Sequence, residues 1–103
     1  MGRRVKKGPP FVMLRNEVLD SPEWHSLTTS EMVAYIHIKR YYNGANNGQI
    51  QLHYVSMKKI MAPGTLSKAI KGLEMKGWIV KETPGGMYRY KSLYRMTGKY
   101  DRI

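Results

Sequence analysis

The 103-residue chain has no cysteine, a single phenylalanine and only seven acidic residues. Without cysteine there can be neither disulfides nor thiolate metal sites, and an intracellular, cytoplasmic location is the simplest expectation. No apolar run reaches the roughly 18 residues of a membrane-spanning helix. The basic opening MGRRVKKGPP lacks the apolar block of a secretory signal. Chemistry is equally sparse. His25, His37 and His53 lie far apart with no local carboxylate pattern around them, so no metal site is expected. No Ser or Thr has the base and orienting acid that would make it a nucleophile. Pro84-Gly85-Gly86 is too isolated to be a phosphate-binding loop. These absences argue against an enzyme, a cofactor, a metal and a small-molecule substrate.

Positive charge is what the chain has in excess. Eighteen Lys and Arg give a formal net charge of +11. Residues 1–57 carry +3 of this and residues 58–103 carry +8. A compact body so unbalanced repels itself, and an acidic partner offsets that repulsion. Nucleic acid is the expected partner, because each neutralised phosphate also releases counterions. An anionic membrane surface, or mere solubility, is the plainer alternative.

Along the chain, residues 1–10 combine Arg3, Arg4, Lys6 and Lys7 with Gly and a Pro pair, which reads as a flexible basic arm. Residues 11–103 read as one domain. Phe11 to Leu14 forms an edge strand or packs on the body. Asn16–Leu19 and Ser21–Leu27 look like short helical turns, the second capped by Ser21 with Pro22 at its first position. Thr28-Thr29-Ser30-Glu31 has the spacing of a capping box. It opens a helix whose apolar stripe is Met32, Tyr35, Ile36 and Tyr42, widened by Val33 and Ile38. The polar segment 43–48 ends that helix, and Gln49 to Leu52 reads as a short strand. A second helix is expected from about Tyr54 to Met61, with Val55 or Met57, Ile60 and Met61 inward. Ala62-Pro63-Gly64 then breaks the chain. The third helix starts near Thr65 and buries Leu66, Ala69, Ile70 and Leu73. Gly77 suits a left-handed C-terminal position, with Lys76 in the last turn. Trp78–Glu82 and Met87–Thr97, flanking the Pro-Gly-Gly turn, read as a β-hairpin.

Burying that stripe turns Thr65, Ser67, Lys68, Lys71, Gly72 and Met75 of the third helix outward. Hydroxyls near the N-terminus followed by lysines one turn later suit phosphates and base edges in a major groove. No acid interrupts Gly64 to Leu73. Gly72 is out of place, costing roughly 1 kcal/mol of helix propensity unless it permits a close approach.

The segment Thr65-Leu66-Ser67-Lys68-Ala69-Ile70-Lys71-Gly72-Leu73-Glu74-Met75-Lys76-Gly77-Trp78-Ile79 resembles the recognition helix and first wing strand of winged helix-turn-helix proteins. Upstream, Ser21-Pro22-Glu23-Trp24, Tyr41-Tyr42-Asn43-Gly44 and Asn47-Gly48-Gln49-Ile50 are similar to small replication-initiator-like winged-helix proteins of bacteria and their mobile elements. The resemblance runs from about Phe11 to Thr97. It implies an α+β, mainly α, winged helix-turn-helix fold. Three or more helices would pack on a small antiparallel sheet with a C-terminal β-hairpin wing. It further implies binding of double-stranded DNA, in transcription regulation or at a replication origin, by a nucleoid-associated protein. Thr65, Ser67, Lys68 and Lys71 would face the DNA. Arg89, Lys91 and Arg95 of the wing would contact backbone or minor groove, and Arg3 and Arg4 resemble other basic arms that do so.

Two other readings stay open: a winged helix used for protein–protein assembly, and RNA or single-strand binding through the tyrosine-rich hairpin. Tyr88-Arg89-Tyr90-Lys91 and Tyr94-Arg95 alternate aromatic and basic residues as a stacking platform does. The same alternation is what a half-buried hairpin needs, and that structural reading is preferred. Trp24 and Trp78 are expected in the core, and Tyr35, Tyr41 and Tyr42 in or beside it. Arg15, Lys39 and Arg40 are expected on ordinary solvated faces. No heptad run marks a dimerisation device, so a homodimer is neither required nor excluded.

Overall fold

A computed structural model of the chain describes residues 11–52, 54–83 and 93–102. It is an α+β domain with five helices and a three-stranded antiparallel sheet among those residues. The arm at residues 1–10, with Arg3 and Arg4, lies outside them. So do His53, the Pro84-Gly85-Gly86 turn, Tyr88, Arg89, Tyr90 and Lys91. No helix among the described residues is long and apolar enough to cross a membrane.

Two single-turn helices, α1 (Asn16–Leu19) and α2 (Pro22–His25), open the domain. Ser21 joins them: its hydroxyl donates to the Val18 carbonyl at 2.6 Å and accepts the Trp24 amide at 3.2 Å. Phe11 to Leu14 forms no strand; Leu14 packs against the core while Phe11 and Met13 are exposed. The capping box then starts α3 (Thr29–Tyr41). Thr28 Oγ1 accepts the Glu31 amide at 3.1 Å, and Glu31 Oε1 accepts the Thr28 amide at 2.9 Å.

The buried face of α3 includes Tyr35 and Ile38 of the expected stripe and adds Glu31 and Ala34. Ala34, Tyr35 and Ile38 are fully buried, together with the charged Glu31, while Met32, Ile36 and Tyr42 are only half-buried. Positions 31, 34, 35 and 38 form one helical stripe. It begins with a carboxylate and includes the small Ala34, two members that a search for large apolar residues does not find, while Met32, Ile36 and Tyr42 pack against the core at its edge.

A polar loop leads to β1 (Ile50–Gln51) and to α4 (Tyr54–Met57). This second helix is shorter than expected. Met57 is buried, but Val55 is 79% exposed and Ile60 lies in the turn that follows. α5 spans Pro63–Met75, so Pro63-Gly64 belongs to the helix instead of preceding it. Proline at the first position loses no hydrogen bond, because that amide has no helical partner in any case. Leu66, Ala69, Ile70 and Leu73 are buried as their spacing required. Gly77 ends the helix at φ +86°, and the Trp78 amide reaches back to the Leu73 carbonyl at 2.9 Å, a closure that favours glycine.

Next come β2 (Ile79–Thr83) and β3 (Leu93–Met96), paired antiparallel, with β1 on the other side of β3. The order is therefore β1-β3-β2. Asn47 extends the sheet from the loop: its side chain accepts the Met96 amide at 2.8 Å and donates to the Met96 carbonyl at 3.1 Å. Tyr94 and Met96 turn inward, the half-buried hairpin pattern.

The core lies where α3 crosses α5 and both meet the sheet. Trp24, Tyr35 and Trp78 pack edge to face there, with ring centroids 5.1 to 5.9 Å apart. Tyr100 covers Trp78 at 5.1 Å, and Thr97 Oγ1 donates to the Gly77 carbonyl at 2.8 Å. Residues 97–101 thus fold back over the end of α5. Asp101, buried, accepts hydrogen bonds from the Tyr35 hydroxyl and from Lys39 Nζ, the latter at 2.6 Å. Lys39 is therefore no ordinary solvated residue; its side chain is 13% exposed. Burial, then the bond to Asp101 and its charge, push the Tyr35 phenol well above its usual range, so Tyr35 is a neutral donor to that carboxylate.

Candidate nucleic-acid interface

The outer face of α5 carries Thr65, Ser67, Lys68 and Lys71, all exposed. Met75, 81% exposed, continues the face toward the C-terminal end. None of the three ion pairs among the described residues involves Lys68 or Lys71. Lys58 and Lys59, in the turn between α4 and α5, are likewise exposed and outside those pairs. Sequence reasoning had left these two out of the site. The signal was available, because they begin the +8 half of the chain.

A joint on the inner side holds α5 at its crossing angle. Glu31 of α3 lies across Gly72 of α5, and a β-carbon built on Gly72 would run into the Glu31 carboxylate. Gly72 is half-buried and faces α3, not the exposed lysine face to which the sequence pattern assigned it. The absent side chain lets the two helices approach, which accounts for a glycine in mid-helix. Lys76 donates to Glu31 Oε1 at 2.7 Å and to the Ser26 carbonyl at 3.0 Å. Glu31 therefore caps α3, fills the notch at Gly72 and holds the cation at the end of α5. Beside this joint, a groove of about 310 Å³ runs between Thr28 and Ser30 of one helix start and Thr65 and Lys68 of the other.

Two basic residues of the hairpin, Lys81 and Arg95, lie among the described residues. Lys81 on β2 is exposed. Arg95 on β3 is held by Glu82 of β2, Nε to Oε2 at 2.5 Å, with both side chains about two-fifths exposed. Tyr94, the described member of the tyrosine-rich stretch, is buried, so it offers no open ring to a base. Of the remaining site residues, Arg89, Lys91, Arg3 and Arg4 lie outside the described residues.

Among the described residues, no group of three or more His, Asp or Glu side chains could hold a metal ion. His25 Nε2 lies 2.9 Å from the Leu19 carbonyl. His37 Nδ1 is buried and without a partner among the described residues. Burial and then the charge of Arg40 lower the His37 pKa from its ordinary value. Comparison with known protein families, curated proteins and solved structures finds no match to this chain.

Proposed function

We propose that the domain is a winged helix-turn-helix that binds double-stranded DNA, with α5 in the major groove and the β2–β3 hairpin against the flanking backbone. One observation carries this reading: the outer face of α5 and the turn before it expose four lysines with no acid between Lys58 and Leu73. Surface helices ordinarily mix both signs of charge. The order helix, turn, helix, antiparallel hairpin supports the same reading, as does the strand order β1-β3-β2. Lys58, Lys59, Lys68 and Lys71 meet phosphates, while Thr65 and Ser67 lie closest to base edges. Such a domain serves transcription regulation or replication-origin binding in the cytoplasm.

The test is binding of the purified protein to fluorescent random-sequence duplex and to matching single-stranded DNA, at low and physiological salt. Duplex-preferring binding that weakens steeply with salt is the expected result. No binding at low salt overturns the reading.

A further inference from the structure

The three carboxylates that form ion pairs among the described residues, Glu31, Asp101 and Glu82, are used unequally. Glu31 and Asp101 are buried, and each is tied to structural hydrogen bonds. Glu82 is different. It stands in the open on β2, 38% exposed, and takes the Nε donor of Arg95, itself 42% exposed. Residue 95 lies directly across from Val80, so Glu82 reaches it diagonally along one face of the hairpin. An exposed pair of this kind contributes little to folding. What it does accomplish is to occupy an arginine donor with an anion, on the hairpin that carries Lys81 as well.

Arginine pairs with carboxylate and phosphate through the same donors. Resting on the DNA-binding reading above, we propose that Glu82 is a built-in phosphate surrogate: it holds Arg95 in the free protein and yields it to a backbone phosphate of the duplex. Arg95 is held in place before DNA arrives, and its charge is partly neutralised toward any passing polyanion. A phosphate contact at Arg95 Nε must displace the Glu82 carboxylate. Loose encounters are disfavoured relative to complexes in which the hairpin is pressed onto the backbone. Glu82 is thus a positioning residue acting through Arg95.

The experiment is a double-mutant cycle on the whole chain, with Glu82→Gln, Arg95→Ala and the double variant titrated against the random-sequence duplex over a range of salt. Glu82→Gln is expected to tighten binding by about fivefold at low salt. Arg95→Ala weakens it and lowers the salt slope by about one. In the Arg95→Ala background the gain from Glu82→Gln shrinks to the effect of one distant charge. An equal gain in both backgrounds overturns the proposal, since Glu82 then acts through net charge alone. An Arg95→Ala variant with unchanged affinity and slope overturns it too. If the parent protein binds duplex and the cycle shows no coupling, the surrogate fails while the DNA reading stands. If the parent does not bind, both fall.

Discussion

On the side of α5 that meets α3, Glu31 is matched with Lys76, and nearby Asp101 is matched with Lys39. On the outer side, Lys68 and Lys71 stand without an acidic partner among the described residues. Both regions are charged, but the charge has opposite consequences. Buried ions are tolerable only when paired and hydrogen-bonded, so the inner set is bound to one geometry. The outer lysines are solvated and cost the fold little. They leave a positive field on that face. One helix therefore separates a structural face from an exposed basic face, and each can be attacked without the other.

The largest expected effect is on the inner face. Gly72→Ala drives a methyl group into the Glu31 carboxylate, which can turn aside only by giving up its bonds to Thr28 and Lys76, and despite the better helix propensity it should destabilise by about 1–3 kcal/mol in urea denaturation. Combining it with Glu31→Ala should cost less than the two single changes summed, because the clash is removed. Strict additivity would break the account of the joint. Next, Asp101→Ala should lose about 1–3 kcal/mol by leaving the Tyr35 hydroxyl and Lys39 without their acceptor, seen as a lower melting temperature. The contrast reverses on the outer face. Lys68→Ala with Lys71→Ala should leave stability within about 0.5 kcal/mol and lower the salt slope of duplex binding by about two. If that pair changes folding more than binding, the division between faces is wrong.

The smallest effect concerns pH. With the His37 pKa below its ordinary 6.5, the unfolded chain binds more protons than the folded one as pH falls below that value. His37 thus lowers stability on acidification and has no effect above the unfolded pKa. His37→Gln should flatten the fall in melting temperature below about pH 6.5. An unchanged slope would show that other groups govern it.

The sequence was most legible where structure depends on neighbours in the chain. The Thr28–Glu31 capping box, the Leu66-Ala69-Ile70-Leu73 stripe, the Gly77 helix end and the antiparallel hairpin are local patterns, and each is present in the fold. Legibility failed where a residue's surroundings come from far along the chain. Lys39 looks like a surface residue until Asp101, 62 positions on, reaches it. Glu31 looks like a simple cap until Gly72 makes room for it and Lys76 pairs with it. Glu31 was missing from the α3 stripe for the same reason, since hydrophobicity cannot identify a carboxylate buried by its partners. In the candidate interface, the exposed positions Thr65, Ser67, Lys68 and Lys71 followed from the correct α5 stripe. The pairing of Arg95 with Glu82 did not, because it depends on strand register.

The notch at Gly72 also has a consequence for anyone reshaping this domain. Routine stabilisation would replace a mid-helix glycine with alanine, and here that substitution strikes the joint that sets the helix crossing. Positions 31 and 72 have to be treated as a single unit, redesigned together or left alone. Thr65, Ser67, Lys68 and Lys71 lie outside that unit. They can be randomised as a library on a fixed frame, which makes the outer face of α5 a natural place to vary the surface without disturbing the fold.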